Sequence, residues 1–252
     1  MEQAFEKDLL RVRVFDTRAQ MGEAAKADIA AAIREVLRQK PVCNMIFAAA
    51  PSQNEVLAAL AADASIEWPR VHAFHMDEYI GLAPGAPQGF ANFLRAALFG
   101  RAPFGRVECI DCTAAPAAEA ARYEALLREN PVDITVLGIG ENGHIAFNDP
   151  HVARFDDTAL VKPVALDDTC RMQQVHDGCF AELDAVPKTA LTLTVPALLA
   201  AKRAFCIVPA RTKANAVRAT LLGPVEESCP ASALRRHKNA VLYLDADSAG
   251  AL

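Results

Sequence analysis

The sequence predicts an α/β fold built on one doubly wound, mainly parallel sheet, and three observations carry that prediction. Short β-rich runs alternate with longer alanine-rich stretches whose apolar residues recur at helical spacing, which is the pattern of successive βαβ units. The run at 133–138, Asp-Ile-Thr-Val-Leu-Gly, is apolar nearly throughout, as a strand covered on both faces must be, and is placed at the centre of the sheet. With 252 residues and 52% hydrophobic composition, the chain can bury a large core.

Taken in order, residues 10–15 read as a strand and residues 18–39 as an amphipathic helix, with Met21, Ala25, Ile29, Ile33 and Leu37 about one turn apart. A strand at 42–48, a helix at 52–62, a strand at 70–75, a helix at 90–99 and a strand at 107–110 follow. Next come a helix at 117–128 and the central strand. Residues 150–185 are polar and weakly periodic, and read as an excursion that could cover a site. Regular structure returns with a strand at 190–195, a helical turn at 196–200, a strand at 204–208, a helix at 212–222, a short helix at 232–236 and a last strand at 240–244. Neither a linker nor an internal repeat interrupts the pattern, so residues 1–252 read as a single domain.

The net charge of −5 leaves no sequence-wide basic surplus for a nucleic-acid backbone. The N-terminus lacks the basic start and apolar run of a secretory signal, and no stretch is apolar for long enough to span a bilayer, so the expected location is cytoplasmic. Seven scattered cysteines fit reduced, mostly buried thiols better than a disulfide framework. Cys109 and Cys112 have the spacing of a redox or zinc pair, but no second pair or His-x-His group lies nearby to complete four ligands, and a strand end is the expected reading.

Ligands of an open parallel sheet collect at the carboxyl ends of its strands, which directs attention to the loops that follow them. In the first, Ala48-Ala49-Ala50-Pro51-Ser52-Gln53, Ser52 followed by Glu55 is a capping box; alternatively, small Ala49 and Ala50 beside Ser52 let a phosphate approach exposed helix amides. The second, His75-Met76-Asp77-Glu78-Tyr79-Ile80-Gly81-Leu82, holds adjacent carboxylates that are either solvated turn residues or a base beside a substrate carbon. Its apolar neighbours favour the base, since such surroundings raise a carboxylate pKa.

The third loop carries Gly138-x-Gly140-x-x-Gly143 and runs on as His144-Ile145-Ala146-Phe147-Asn148-Asp149-Pro150. A dinucleotide fingerprint would need a helix starting within it, and Pro150 ends any such helix almost at once. The glycines instead let backbone pass close to a ligand, with His144 projecting into the space beside Glu141, Asn142 and Asp149, an arrangement suited to acid–base work. The fourth, Pro209-Ala210-Arg211-Thr212-Lys213-Ala214, puts cations in a first helical turn, which is explained by solvent exposure or by an anion nearby.

These four loops, in this order, resemble the glucosamine-6-phosphate deaminase/isomerase family, whose patterns are close to M-D-E-Y-x-G-L and G-[IV]-G-x-[DN]-G-H-I-A-F-N-[ED]-P. Further likeness lies in Val186-Pro187-Lys188-Thr189-Ala190-Leu191-Thr192 and from Lys213 to Pro224, so it spans about residues 18–245. The resemblance implies a three-layer, Rossmann-like α/β domain that converts an amino-sugar 6-phosphate to fructose 6-phosphate and ammonia without metal or organic cofactor. Its partner would be a small sugar phosphate rather than nucleic acid or membrane, and a homo-oligomer is compatible with it.

By the same resemblance, Asp77 would move a proton between C2 and C1, and His144 would open the sugar ring. Asp149 and Asn142 would orient that imidazole. Lys213, the amides around Ala49, Ala50 and Ser52, and the glycine loop at Gly140 and Gly143 would hold the substrate and its phosphate. The chain departs from the pattern at Asn142, where the best-known members carry Asp, at Asp149, generally Glu, and at Ala49-Ala50-Pro51-Ser52, typically Thr-Gly-Gly-Thr or Ser. Arg171 is the nearest counterpart of the family's second phosphate-side cation. The rival enzyme reading is a 6-phosphogluconolactonase, against which Ile145-Ala146-Phe147-Asn148 argues; a sugar-phosphate sensor without turnover is the non-enzymatic alternative.

Overall fold

The computed structural model describes residues 3–252, so residues 1 and 2 of the expected domain lie outside the described residues. Eight strands form one sheet: β1 (Gln3–Lys7), β2 (Leu10–Phe15), β3 (Cys43–Phe47), β4 (Val71–His75), β6 (Arg106–Glu108), β7 (Ile134–Leu137), β10 (Arg203–Val208) and β11 (Ala240–Asp245). Their order is β1-β2-β11-β10-β7-β3-β4-β6, and every pairing is parallel except β1 with β2.

Alternation along the strands sends side chains into two separate cores. Cys43, Met45 and Phe47 of β3, Ile134 and Val136 of β7, and Phe205 and Ile207 of β10 pack on one face, against α1 (Arg18–Gln39) and α2 (Asn54–Ala61). Ile46, Leu137, Ala204, Cys206 and Val208 point the other way, toward α4 (Pro116–Glu129) and α7 (Ala214–Leu222). Helix, sheet and helix thus form the three layers expected of the sequence. The helix expected at 90–99 is α3 (Phe90–Leu94) continued by a wider turn at Arg95–Phe99, and the one expected at 232–236 is a 3-10 segment, Pro230–Arg236. The helical turn expected at 196–200 is α6 (Val195–Leu199), capped by the Thr194 side chain.

The strand expected at 190–195 does form, as β9 (Thr189–Leu193), but it is not part of the parallel sheet. It lies at the centre of a second, antiparallel sheet between β5 (Asp77–Tyr79) and β8 (Val161–Ala165). β8, α5 (Asp168–His176) and a 3-10 turn at Leu183–Ala185 give the 150–185 excursion regular structure that its weak periodicity conceals. β1 was equally concealed: its burial pattern is exposed nearly throughout, and it is held by pairing with β2 across a turn in which Asp8 takes a φ of 53°.

This topology fixes where a ligand goes. From β3 the chain proceeds to β4 on one side, while from β7, the neighbour of β3, it proceeds to β10 on the other. Helices leaving adjacent strands toward opposite faces open a crevice at the carboxyl ends of that pair.

Candidate active site

The crevice is a cleft walled by Ala48, Ala49, Ala50, Ser52 and Gln53 after β3, Met76 and Asp77 after β4, and Gly138, Ile139, Gly140 and His144 after β7. Phe90, Ala146, Phe147, Gln173 and Gln174 complete it.

The first loop is built differently from a capping box. Pro51–Gln53 forms a 3-10 turn before α2, and no side chain caps either segment. Glu55 is taken by Arg18 of α1, which donates from Nε at 2.8 Å and from a terminal nitrogen at 2.9 Å, with a further bond to the Pro51 carbonyl. A bidentate guanidinium outcompetes a backbone amide for a carboxylate, because two charge-assisted bonds replace one. Ser52 Oγ instead accepts from Gln53 Nε2, which also donates to the Ile207 carbonyl of β10. Gln53, fully buried, thereby ties the loop across the sheet.

Asp77 sits on a strand, not in a loop. β5 pairs with β9 in the register Asp77 to Thr192, Glu78 to Leu191 and Tyr79 to Ala190, so the two adjacent acids point to opposite faces. Glu78 is spent on structure: its carboxylate accepts from the amides of Phe90 at 3.0 Å and Ala91 at 2.9 Å and so caps α3. Burial pushes the Glu78 pKa up, but His75 and these amides outweigh it and hold it below the usual range. Asp77 has none of that help. Among the described residues no group donates a hydrogen bond to its carboxylate, and burial, reinforced by the charge of Glu78 and opposed by His75, pushes its pKa up to about 8. The apolar surroundings are an aromatic cluster: the Tyr79 ring lies 4.9 Å from Phe90 and 5.2 Å from Phe147, and those two lie 5.4 Å apart.

His144 faces the cleft from a tight turn. Ala146 adopts a φ of 49°, and the turn is pinned to β9 by Asn148 Nδ2 donating to the Leu193 carbonyl and by the Phe147 amide donating to Thr192 Oγ1 at 3.0 Å. Thr192 is also the backbone partner of Asp77, so one residue of β9 holds both acid–base groups in register.

The imidazole packs on Gly140, where any Cβ would fall 2.1–2.3 Å from ring atoms. The space left by Gly140 is therefore filled by His144 itself. Gly143, with a φ of 84°, makes the turn, and a Cβ there would meet Cys229 Sγ at 2.9 Å; it is not on the cleft wall.

Behind the ring, Nδ1 lies 2.7 Å from Asn142 Oδ1 and 3.1 Å from Asp149 Oδ1. The Asn142 amide nitrogen donates to Asp149 at 3.1 Å and to Asp167 at 3.0 Å, and Asn142 Oδ1 also accepts the His144 backbone N–H. Both groups facing Nδ1 are acceptors, so in the neutral ring the proton sits on Nδ1 and Nε2 is the basic nitrogen. Burial raises the Asp149 pKa, but bonds from His144, Asn142 and the Asp167 amide outweigh it and keep the group ionised at neutral pH.

His144, Asp149 and Cys170 present ligand atoms within 4.8 Å of one another, as do Asp149, His151 and Asp167. Asp149 is common to both groups, already accepts from Asn142 and the Asp167 amide, and lies 3.1 Å from His144 Nδ1, which accounts for the convergence.

Lys213 is buried and, among the described residues, Nζ has no hydrogen-bond partner; burial lowers its pKa, against the opposing charges of Asp177 and Glu141. Neither it nor Asn142 or Asp149 is on the cleft wall. Arg171 is a correction. Its guanidinium donates to the carbonyls of Leu183 at 2.7 Å and Val186 at 3.1 Å and to Asp168 at 2.8 Å, so it closes the excursion on itself and presents no charge to the cleft. The neighbouring residues of α5 reach the cleft instead. Gln173 accepts from the Glu141 amide at 2.8 Å, and Gln174 lines the wall. Sequence reasoning missed both, along with Gln53 and Asp167, because an amide or acid in a loop or a weakly periodic segment carries no local sign of facing inward.

The family model of glucosamine-6-phosphate isomerases/6-phosphogluconolactonase matches residues 16–243. A glucosamine-6-phosphate deaminase of Listeria monocytogenes is 34% identical over 210 residues, covering 83% of this chain and 88% of that relative. A monomeric glucosamine-6-phosphate deaminase of known structure superposes with a TM-score of 0.86 at 27% identity, over 96% of this chain and 99% of the other. The 6-phosphogluconolactonase of Thermotoga maritima shares the fold, with a TM-score of 0.76 at 20% identity over 93% and 98% of the two chains. With a switch-point cleft, an unpartnered carboxyl and an oriented histidine in it, the chain belongs to the family of glucosamine-6-phosphate isomerases/6-phosphogluconolactonase.

Proposed function

We propose that the chain isomerises and deaminates an amino-sugar 6-phosphate, glucosamine 6-phosphate or a close relative such as its galactosamine epimer, to the ketose phosphate and ammonia. The observation that carries this reading is the pairing of two acid–base centres with distinct surroundings in one cleft: Asp77, apolar and without a hydrogen-bond donor, and His144, with Nε2 free. Lactone hydrolysis needs a base for water, whereas an aldose–ketose shift also needs a group that carries one proton between neighbouring carbons. Asp77 fits that task, because a carboxylate relieved of hydrogen bonds and solvent is a stronger base toward carbon.

In this reaction His144 Nε2 takes the anomeric hydroxyl proton and returns it to the ring oxygen, opening the ring. Asp77 removes the proton from C2 and delivers it to C1 through an enediol-like enolamine, which leaves an imine at C2. Water adds across that C=N bond, and the C2–N bond of the resulting carbinolamine breaks, releasing ammonia and leaving the ketone. The phosphate would rest on the amides of 49–52, with Lys213 as its cation; an unpaired buried ammonium is costly unless an anion joins it. Asp149 and Asn142 would orient the imidazole, and Gly140 would give it room. The same reading places the enzyme in the cytoplasm; among the described residues, no helix is long and apolar enough to cross a membrane.

Incubation with glucosamine 6-phosphate and galactosamine 6-phosphate should release ammonia, and Asp77→Asn should abolish it. No ammonia from either sugar, with hydrolysis of 6-phosphogluconolactone instead, would overturn the proposal. Stabilisation by a hexosamine phosphate with no product would favour a sensor.

A further inference from the structure

We propose that Asp167 is a positioning residue of this site: it holds the Asn142 amide in the orientation that presents Oδ1, beside Asp149, to Nδ1 of His144, so that an Asp–Asn–Asp triple replaces a simple carboxylate behind the ring. The proposal deepens the role given to His144 above and rests on that reading for its catalytic consequence.

Asn142 offers two donors and one acceptor at the end of its side chain, and the structure uses all three. The two amide protons go to Asp149 and Asp167, at 3.1 and 3.0 Å, while Oδ1 takes the His144 backbone N–H at 3.1 Å and faces Nδ1 at 2.7 Å. The reversed amide would set oxygen against two carboxylates and NH2 against a backbone donor, so only one orientation is satisfied. Asp149 also faces Nδ1 directly, at 3.1 Å, and shares with Asn142 Oδ1 the task of holding the Nδ1–H tautomer. The Asp167 side chain reaches the ring only through the Asn142 amide.

Asp167 is itself held rigidly. Its Oδ1 accepts the Cys170 amide at the start of α5, its Oδ2 accepts Asn142, and its own backbone N–H donates to Asp149 Oδ2 at 3.1 Å. Both carboxylate oxygens are therefore used as acceptors. An asparagine at 167 could keep the helix cap only by turning its NH2 toward the NH2 of Asn142, a donor facing a donor. An aspartate at 142 would face two carboxylates and repel both. When both changes are made, the contact between the two positions becomes complementary again, the amide introduced at 167 donating to the carboxylate introduced at 142.

The test is a double-mutant cycle read by thermal unfolding and by 15N resonances of the His144 ring, neither of which requires substrate. D167N should lower the melting temperature of the parent by about 2–4 °C and raise that of N142D by a similar amount. The ring should be the Nδ1–H tautomer in the parent and stay so in D167N, where Asp149 still faces Nδ1, but its Nδ1 resonance should shift as Asn142 Oδ1 is displaced. If Asp167 only caps α5, D167N shifts both backgrounds in the same direction and leaves the ring resonances unchanged, which overturns the proposal. Ammonia release should fall roughly 10-fold or more in D167N and in N142D, and partly recover in the pair. Absence of turnover in the parent would count against the deaminase reading, while the melting and NMR results would still decide the role of Asp167.

Discussion

Replacing Asp77 by Asn should abolish turnover and, at neutral pH, make the protein more stable. The carboxyl is 6% exposed, and its pKa rises from 3.8 in a free chain to about 8 in the fold. Between those two values the folded state holds a proton that the unfolded chain has released. The unfolded state therefore binds fewer protons, and stability falls as pH rises through that window. Below about pH 3.8 both states are protonated and the group has no effect; above about 8 the penalty is complete.

At about 1.4 kcal/mol per pH unit, the penalty at pH 7 is roughly 4 kcal/mol. The D77N variant avoids it but leaves a buried amide without partners, at a cost of about 1–3 kcal/mol. The net gain is about 1–3 kcal/mol, a rise in melting temperature of roughly 2–10 °C at pH 7. Near pH 4 the sign reverses, since only the amide cost remains. Differential scanning calorimetry of both proteins at pH 4, 5.5, 7 and 8.5 checks this. A difference between variant and parent that does not change with pH would refute the proposition that burial, without compensating hydrogen bonds, sets the state of Asp77.

Three further predictions concern neighbouring groups. Lys213→Met should raise the melting temperature of the free protein, because it removes an unpaired buried ammonium, while inorganic phosphate and substrate bind at least about 10-fold more weakly by calorimetric titration. Arg171→Ala should cost about 2 kcal/mol or more in chemical denaturation, because the carbonyls of Leu183 and Val186 lose their donor, yet leave KM within about 3-fold; a large KM rise would restore Arg171 as a phosphate ligand. Gly140→Ala should leave the protein folded by circular dichroism but lower kcat by about 100-fold, because the added methyl displaces the His144 ring from its place.

The legible parts of the fold were those with strong periodicity or strong burial. α1 forms over the 22 residues expected, Arg18–Gln39, because its apolar positions recur every turn, and Thr17 caps it. β7 lies inside the sheet between β10 and β3, as its nearly unbroken apolar run requires. β9 is nearly as buried, yet it pairs in another sheet. Composition reports that a strand is covered, not which strands cover it, and Thr192 meets Asp77 only because the chain folds back. β1 escaped notice because a hairpin at a sheet edge is held by backbone pairing, which leaves both faces exposed and without an alternating pattern.

The site divides along the same line. Residue types and their order in the four loops placed Asp77, His144, Ala49, Ala50, Ser52 and Gly140 at strand ends, and all of them line the cleft. That much follows from the chain alone, because a βαβ repeat puts every such loop at one edge of the sheet. Whether Glu78 or Asp77 is free, whether Glu55 caps its own helix or pairs with Arg18, and whether Arg171 or Gln174 lines the cleft were decided only by tertiary packing. In each case two groups of suitable chemistry compete for one partner, and the winner is set by a distance between elements far apart in sequence, which local pattern does not encode.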